Sequence, residues 1–484
     1  MRTSAGAPSA TEGVSAMEAA GSGLGSAAHP LRVAVVGSGP SGFYAVEALL
    51  DSGRAVEVDL LERLPVPYGL VRFGVAPDHP KLKSVTATFD GIARDPRVRF
   101  FGNVGLGQEV DADRLAALYH AVIVATGADA DRRLGIPGED LPGVHAASDF
   151  VGWYNGKPEC AGLQFDLSQE AVVVVGQGNV AIDVCRILAK PVDELRRTDI
   201  TEHALDALAA SRVREIHLVG RRGPVQAKWT PKELRELGAL PGWQPVIEPH
   251  ALELDPASRS ELDDPALAQA AKNVEILRGF AARPREALRP LFLHFQECPA
   301  ALHGAGRLQE VVLEAQCLAG PPGAQVAVPT GRRRALSAGL LFRSVGYRSR
   351  ALPGLPFDAR QGTLPHRDGR VLAADGGVLP RWYVTGWIKR GPTGVIGTNR
   401  LDSVETVAAL LQDLPALDAA RPGRTALLAT LEAAGHRVVS FEHWLAIEQA
   451  ERERGQRLSK PAEKFVRVPD MLAAAHGGAA ASPP

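Results

Sequence analysis

The chain has 484 residues, too many for one ordinary core, so its length points to two or three domains. Lys and Arg number 54 against 55 Asp and Glu, a net charge of −1 that offers no basic field to nucleic acid or an anionic membrane. No apolar run approaches the roughly 18 residues of a membrane span. Cys160, Cys185, Cys298 and Cys317 are scattered, which argues for reduced thiols in a cytoplasmic protein rather than a disulfide framework or iron–sulfur ligand set. The histidines are scattered too, so no metal site is expected.

Residues 1–30 are rich in Ala, Gly and Ser and include Glu12 and Glu18 beside Arg2. A presequence is basic and a signal peptide has an apolar core, so the expectation here is a disordered extension and no transit or signal peptide. Val33 to Val36 then run into Gly37-x-Gly39-x-x-Gly42 and on to an apolar helical pattern, Ala45, Val46, Leu49 and Leu50. The glycines therefore sit where a buried strand becomes a helix, as a dinucleotide fingerprint requires: Gly37 for the turn, Gly39 for pyrophosphate approach, Gly42 for helix–strand packing. The next strand, Val56 to Leu61, ends at Glu62, 20 residues past Gly42, where a carboxylate meets a ribose hydroxyl and disfavours a 2′-phosphate.

The segment Arg63 to Pro80 carries early prolines and two glycines, which exclude helix and central strand, yet it is too apolar for a solvated loop. It reads as an ordered loop against something flat, either a flavin ring or the core itself. Lys81 to Arg94 follows as a helix, Val98 to Phe101 as a short strand, and Ala121 to Gly127 as a buried strand ending in a small-residue turn.

Ala171 to Val175 opens a second fingerprint, Gly176-Gln177-Gly178-Asn179-Val180-Ala181, so two dinucleotides are expected. The strand after it, Glu215 to Gly220, ends in Arg221-Arg222 rather than an acid. Paired guanidiniums suit a 2′-phosphate, although a solvated basic turn has the same composition. This assigns FAD to the first site and NADPH or NADP+ to the second. Arg221 lies 43 residues past Gly178, about twice the usual interval, the excess being a helical insertion near Asp193 to Ser211. Pro231 to Leu237 reads as a helix, Leu291 to Phe295 and Leu308 to Leu313 as strands, and Ala319 to Ala324 as a loop.

Ala338 to Gly346 and Trp382 to Gly386 return to buried strands. The second leads into Trp387 to Asn399 and a helix, Asp402 to Leu411, whose positive end faces the flavin. The remainder is helical to residue 473, and 474–484 form a frayed tail.

With Glu62, the proline loop, G-Q-G-N-V-A, V-G-R-R-G-P and G-W-I-K-R-G-P-T-G-V-I in this order, residues 31–473 closely resemble the adrenodoxin reductase family of ferredoxin–NADP+ reductases. The resemblance implies an α/β fold of two Rossmann-like dinucleotide-binding domains in the glutathione reductase-like arrangement: 31–130 with 338–473 for FAD, 131–337 for NADP. It places FAD contacts on Ser41, Glu62, Leu70, Leu106, Trp387, Gly394, Val395 and Ile396, and NADP contacts on Gln177, Gly178, Asn179, Val180, Arg221, Arg222, Glu233 and Gly394. It also implies catalytic positions at His79, Asp183 and Trp387, with His79 and Asp183 in a hydrogen-bonded network. On its sequence alone His79 is as readily a turn residue as a proton relay. The basic docking cluster of mitochondrial members is not reproduced, since Asp255 to Asp264 has Arg259 among four acids, while Lys232 and Arg235 match basic positions.

The expected activity is hydride transfer from NADPH to FAD, then single-electron transfer to a ferredoxin or similar iron–sulfur carrier by a monomeric enzyme. A flavoprotein subunit of a larger iron–sulfur oxidoreductase and a non-catalytic redox sensor are the alternatives. A disulfide reductase would need a spaced cysteine pair.

Overall fold

The computed structural model describes residues 23–286, 288–417 and 420–477. Most of the extension expected to be disordered thus lies outside the described residues, as do 478–484 of the tail. Residues 23–30 contradict that expectation: Gly25 N–H donates to His29 O (2.7 Å), and Ala55 N–H donates to Gly25 O (2.8 Å), which staples the segment to the entry of the second strand. The frayed tail likewise starts later than 474, because the helix Val468–Ala475 continues through it and buries Ala475.

A seven-stranded sheet is built from both ends of the chain. Its first strands are β1 (Leu31–Val36), β2 (Val56–Glu62), β3 (Val98–Gly102) and β4 (Ala121–Val124), and its last are β16 (His366–Arg367), β17 (Arg370–Leu372) and β18 (Val378–Val384). The order is β16-β17-β18-β4-β1-β2-β3, with β18, β4, β1, β2 and β3 parallel. Both faces are covered, which is why these strands are apolar almost without alternation. Val33, Val35, Val58 and Leu60 enter one core with Phe43 and Trp444, whereas Ala34, Val36, Leu61 and Val122 enter another with Leu115 and Leu427.

The six-stranded sheet between them is wholly parallel: β6 (Val144–Ala146), β14 (Leu340–Arg343), β7 (Ala171–Val175), β8 (Glu215–Gly220), β10 (Arg289–Phe295) and β9 (Trp243–Val246), in that order. β14 corrects the expected boundary at 338. It pairs with β7, Leu340 opposite Val172, so its segment belongs to the second sheet. A buried apolar strand fits either sheet by composition, and only pairing decides. An antiparallel sheet of β11 (Glu297–His303), β12 (Glu310–Ala319) and β13 (Val326–Ser337) lies against the second sheet, where Leu302, Val311 and Leu313 meet Val173 and Val219.

The two chain crossings between the large sheets run side by side as a ribbon, β5 (Ala130–Asp131) antiparallel to β15 (Tyr347–Arg348). Among the described residues no helix is long and apolar enough to cross a membrane.

Candidate functional site

The first fingerprint closes β1 onto the helix Pro40–Leu50. Gly37 has φ +107°, and a Cβ there would lie 2.6 Å from Ala125 O; a Cβ on Gly42 would lie 1.9 Å from Gly37 O. Both glycines are therefore required by the protein itself. Gly39 differs: its backbone is extended (φ −77°, ψ −176°), and nothing lies within 4 Å of an added Cβ. Its helix has no side-chain N-cap, so the first-turn N–H groups face that open space. The Glu62 carboxylate closes the cleft, accepting from Ser38 N–H (3.1 Å), Ser38 Oγ (2.8 Å) and Leu64 N–H (3.2 Å).

The proline loop packs on these glycines, since Tyr68 N–H donates to Ser38 O (3.0 Å) and Gly69 faces Gly39. Contrary to expectation it contains a turn of helix, Leu70–Phe73. The prolines at 65 and 67 precede that turn, and none falls between 68 and 76 to interrupt it. Leu106 is buried in the core cluster of Val36 and Leu61.

The far wall is welded to the first fingerprint. The helix opening it spans Thr398–Gln412, four residues earlier than Asp402, and has no side-chain N-cap. Asp402 accepts from Gly386 N–H (2.5 Å) and Lys389 Nζ (2.6 Å), which holds the turn bearing Trp387 against that helix. Ser41 Oγ donates to Asn399 (3.1 Å), and Ser403 Oγ donates to Ser41 O (2.9 Å). The Trp387 indole donates to Thr393 O (3.0 Å), and its ring centroid is 5.8 Å from that of Tyr347. Gly394 takes φ +82° above Thr398, Val395 is 68 % exposed, and Ile396 is half-buried against the first core.

The second fingerprint repeats the design. Gly178 is extended (φ −117°, ψ 172°) with nothing within 4 Å of an added Cβ, and the helix Asn179–Ala189 has no side-chain N-cap. Val180 packs partly into the core, and Asn179 Oδ1 accepts from Thr230 N–H (3.0 Å). Gln177 bridges the glycine loop to the arginine pair: its Nε2 donates to Arg222 O (2.9 Å) and its Oε1 accepts from Arg222 N–H (3.3 Å). Among the described residues neither the Arg221 nor the Arg222 guanidinium is ion-paired or hydrogen-bonded.

Between the clefts lies a buried charge cluster that sequence reasoning only partly anticipated. His79 and Asp183 meet there, as the resemblance implies, with Glu233, which it had placed against NADP. Arg186 is the centre: it donates to Asp183 (2.6 Å) and Glu233 (3.2 Å), pairs with Asp78, and its Nε is 3.4 Å from Glu236. Lys190 reaches Asp78 at 2.6 Å, and His79 Nε2 lies 3.0 Å from Glu236 and 3.5 Å from Glu233. Burial, reinforced by Glu233, Asp78 and Glu236 and opposed by Arg186, pushes the Asp183 carboxyl up to about 7. Burial tends to raise Asp78 too, but Arg186 and Lys190 outweigh it and hold that carboxyl at about 2. Ligand atoms of His79, Asp183 and Glu233 lie within 4.8 Å of one another, yet the Arg186 guanidinium already bonds both acids and supplies the cation. The Asp183-x-x-Arg186 spacing on one helix face was the available signal for Arg186.

A second charged contact joins the two halves through the insertion after the second fingerprint. Asp199 accepts from Lys83 Nζ (2.7 Å) and pairs with Lys464 (2.8 Å), while Lys460 reaches Glu202 (2.9 Å) and Glu463 (2.7 Å). Burial drives the Lys464 amine down to about 7 despite Asp199. The insertion is thus the seat of a clasp.

Residues 31–221 match the family model described as pyridine nucleotide-disulphide oxidoreductase. NADPH-ferredoxin reductase FprA of Mycobacterium tuberculosis is 44% identical over 461 residues, covering 92% of this chain and 98% of that protein. The mitochondrial NADPH:adrenodoxin oxidoreductase of Homo sapiens is 45% identical over 455 residues, covering 91% of each. The solved structure of M. tuberculosis FprA in complex with NADPH superposes with a TM-score of 0.87 at 42% identity, covering 93% of this chain and all of that one. Shared over nearly its whole length with relatives of both kinds, the chain belongs to the family of NADPH-ferredoxin and NADPH:adrenodoxin reductases.

Proposed function

We propose that this chain is a cytoplasmic NADPH:ferredoxin oxidoreductase carrying FAD. The observation that supports it most directly is the pair of open glycines. Gly39 and Gly178 each stand in an extended backbone that alanine would accept, at the mouth of a helix without a side-chain cap, with nothing within 4 Å of where a Cβ would stand. A glycine that neither the backbone nor packing requires is explained by a ligand approaching it. At the first site a carboxylate answers, as a ribose hydroxyl needs; at the second, two unpaired guanidiniums answer, as a 2′-phosphate needs.

The chain ends form the FAD-binding domain and the segment between β5 and β15 the NADP-binding domain. FAD contacts fall on Gly37, Gly39, Ser41, Gly42, Glu62, Leu70, Leu106 and the Trp387 and Gly394–Ile396 wall. NADP contacts fall on Gly178, Asn179, Val180, Arg221, Arg222 and Gly394. When bound, the flavin supplies the conversion between hydride and single-electron chemistry that no side chain offers. The residues position and exclude. Asp402 fixes the Trp387 turn, the Thr398 helix terminus presents positive potential to the cleft, and His79 ties the proline loop to Glu233 and Glu236. Four free cysteines, two of them buried, suit a reducing compartment.

The test is direct. Purified protein is expected to be yellow with one FAD per chain, to be reduced by NADPH far faster than by NADH, and to pass electrons to a ferredoxin. A colourless preparation, or a flavin that NADPH does not reduce, refutes the reading.

A further inference from the structure

Glu261, on the helix Pro256–Leu262 and 7% exposed, abuts the loop that carries the arginine pair: it bonds Gln226, four residues past Arg222, and Gln226 Oε1 would lie 2.9 Å from a Cβ on Gly223. Both of its oxygens are held by neutral donors: Gly323 N–H at 2.9 Å and Gln226 Nε2 at 3.3 Å. Its surroundings are fixed in turn. Gln226 Nε2 also donates to Ser258 (3.1 Å) and Gln325 (3.1 Å), and Gln325 Nε2 donates to Asp255 (2.9 Å), the cap of the same helix. The Arg222 backbone is held by the Gln177 bridge, and the approach is so close that a Cβ on Gly220 would lie 2.0 Å from Gln177 Cδ.

Burial and Arg221 pull the Arg222 guanidinium down from its usual range, and among the described residues the charge of Glu261 opposes them. It does so without an ion pair, so no contact has to break when an anion arrives. A dianion settling on Arg221 and Arg222 meets two guanidiniums without a partner among the described residues and, across the Gln226 contact, one fixed carboxylate. The carboxylate repels the dianion, and it has no such effect on a nucleotide lacking the extra phosphate.

Resting on the assignment of a 2′-phosphate to this pocket, we propose that Glu261 is a specificity-tuning residue. Its buried carboxylate holds affinity for 2′-phosphorylated nucleotides below what the arginine pair alone confers, and so lets the oxidised cofactor leave.

The test uses the full-length, flavin-bearing protein and calorimetric titration with 2′,5′-ADP and 5′-AMP. Glu261→Gln is expected to tighten 2′,5′-ADP binding about three- to tenfold and to leave 5′-AMP unchanged within about twofold. The Gln226 carbonyl oxygen, buried and unpartnered, is available to accept from the new amide. Glu261→Met shares only the loss of charge, and the same gain is expected of it. Unchanged or weaker 2′,5′-ADP binding, or an equal gain for both nucleotides, overturns the role of Glu261. Arg221→Ala with Arg222→Ala separates this from the underlying assignment: if that pair leaves 2′,5′-ADP affinity intact, the phosphate pocket itself is misplaced.

Discussion

Gly39 and Gly42 are three positions apart, and alanine at each should fail for a different reason. At Gly42 the added Cβ sits 1.9 Å from Gly37 O, so helix and strand must separate by about 1.5 Å to reach ordinary contact. Overpacking of this kind costs ~1–3 kcal/mol in the protein itself, with or without flavin. At Gly39 the backbone already suits alanine and nothing lies within 4 Å of the added Cβ. Gly39→Ala should therefore leave the apoprotein as stable as before, or more stable by ~0.4–1 kcal/mol. Its methyl occupies the path to the uncapped N–H groups of Pro40–Leu50, and loss of one charge-assisted hydrogen bond of ~1.5–3 kcal/mol weakens FAD about 10- to 100-fold. The assay pairs urea denaturation of flavin-stripped protein with flavin titration followed by fluorescence quenching. Full flavin occupancy in Gly39→Ala, or an apoprotein destabilised as much as Gly42→Ala, refutes the argument.

Replacing both Arg221 and Arg222 by Ala should raise the KM for NADPH at least about tenfold while leaving NADH nearly unchanged, because only one carries the dianion; equal losses in steady-state kinetics count against it. Asp199→Ala leaves Lys83 and Lys464 facing each other at the clasp, and a loss of about 3 kcal/mol is expected in the urea transition, near the low end for a broken buried pair because Lys464 readily gives up its proton. An unchanged midpoint would show that the clasp contributes nothing. Asp183 has a carboxyl raised to about 7 in the folded protein, so the stability it confers is fully present below the unfolded carboxylate range and is lost as pH rises through 7. Asp183→Asn should flatten the fall of melting temperature between roughly pH 4 and 7, the window from the unfolded to the folded value; an unaltered slope assigns that fall elsewhere.

What could be read from the chain was local. Gly37 to Gly42 and Gly176 to Ala181 carry their strand, turn and helix within about 20 residues, so neighbouring residue types already specify the geometry. Glu62 and Arg221-Arg222 were legible because the end of the next strand is a fixed place in such a fold. The Lys83–Asp199–Lys464 clasp was not, because its members are separated by more than 100 residues each and nothing local marks a lysine for burial. Arg186 was missed for a related reason: an arginine on an amphipathic helix normally faces water, and here the Asp78 loop covers it. The assignment of β14 failed on pairing, which period and composition do not encode. The first turn of helix before Asp402 was hidden by Gly394 and Gly397, weak helix formers just ahead of it, whereas Asn399 anchors that turn by accepting from Ser41 Oγ and donating to Val395 O.

The position of β18 beside β4 has a consequence for biosynthesis. When β1 to β4 have left the ribosome, β4 is the edge of an unfinished sheet, and its sequence is Ala-Val-Ile-Val, apolar and free of charge. Its neighbour begins at Val378, some 250 residues later. At a synthesis rate of ~5–20 residues per second the open edge persists for roughly 12–50 seconds, during which the whole middle sheet emerges and has time to close on itself. A nascent chain halted after β15 thus presents one finished domain and one half-built domain with a bare, adhesive margin, the state in which this protein has most need of a chaperone.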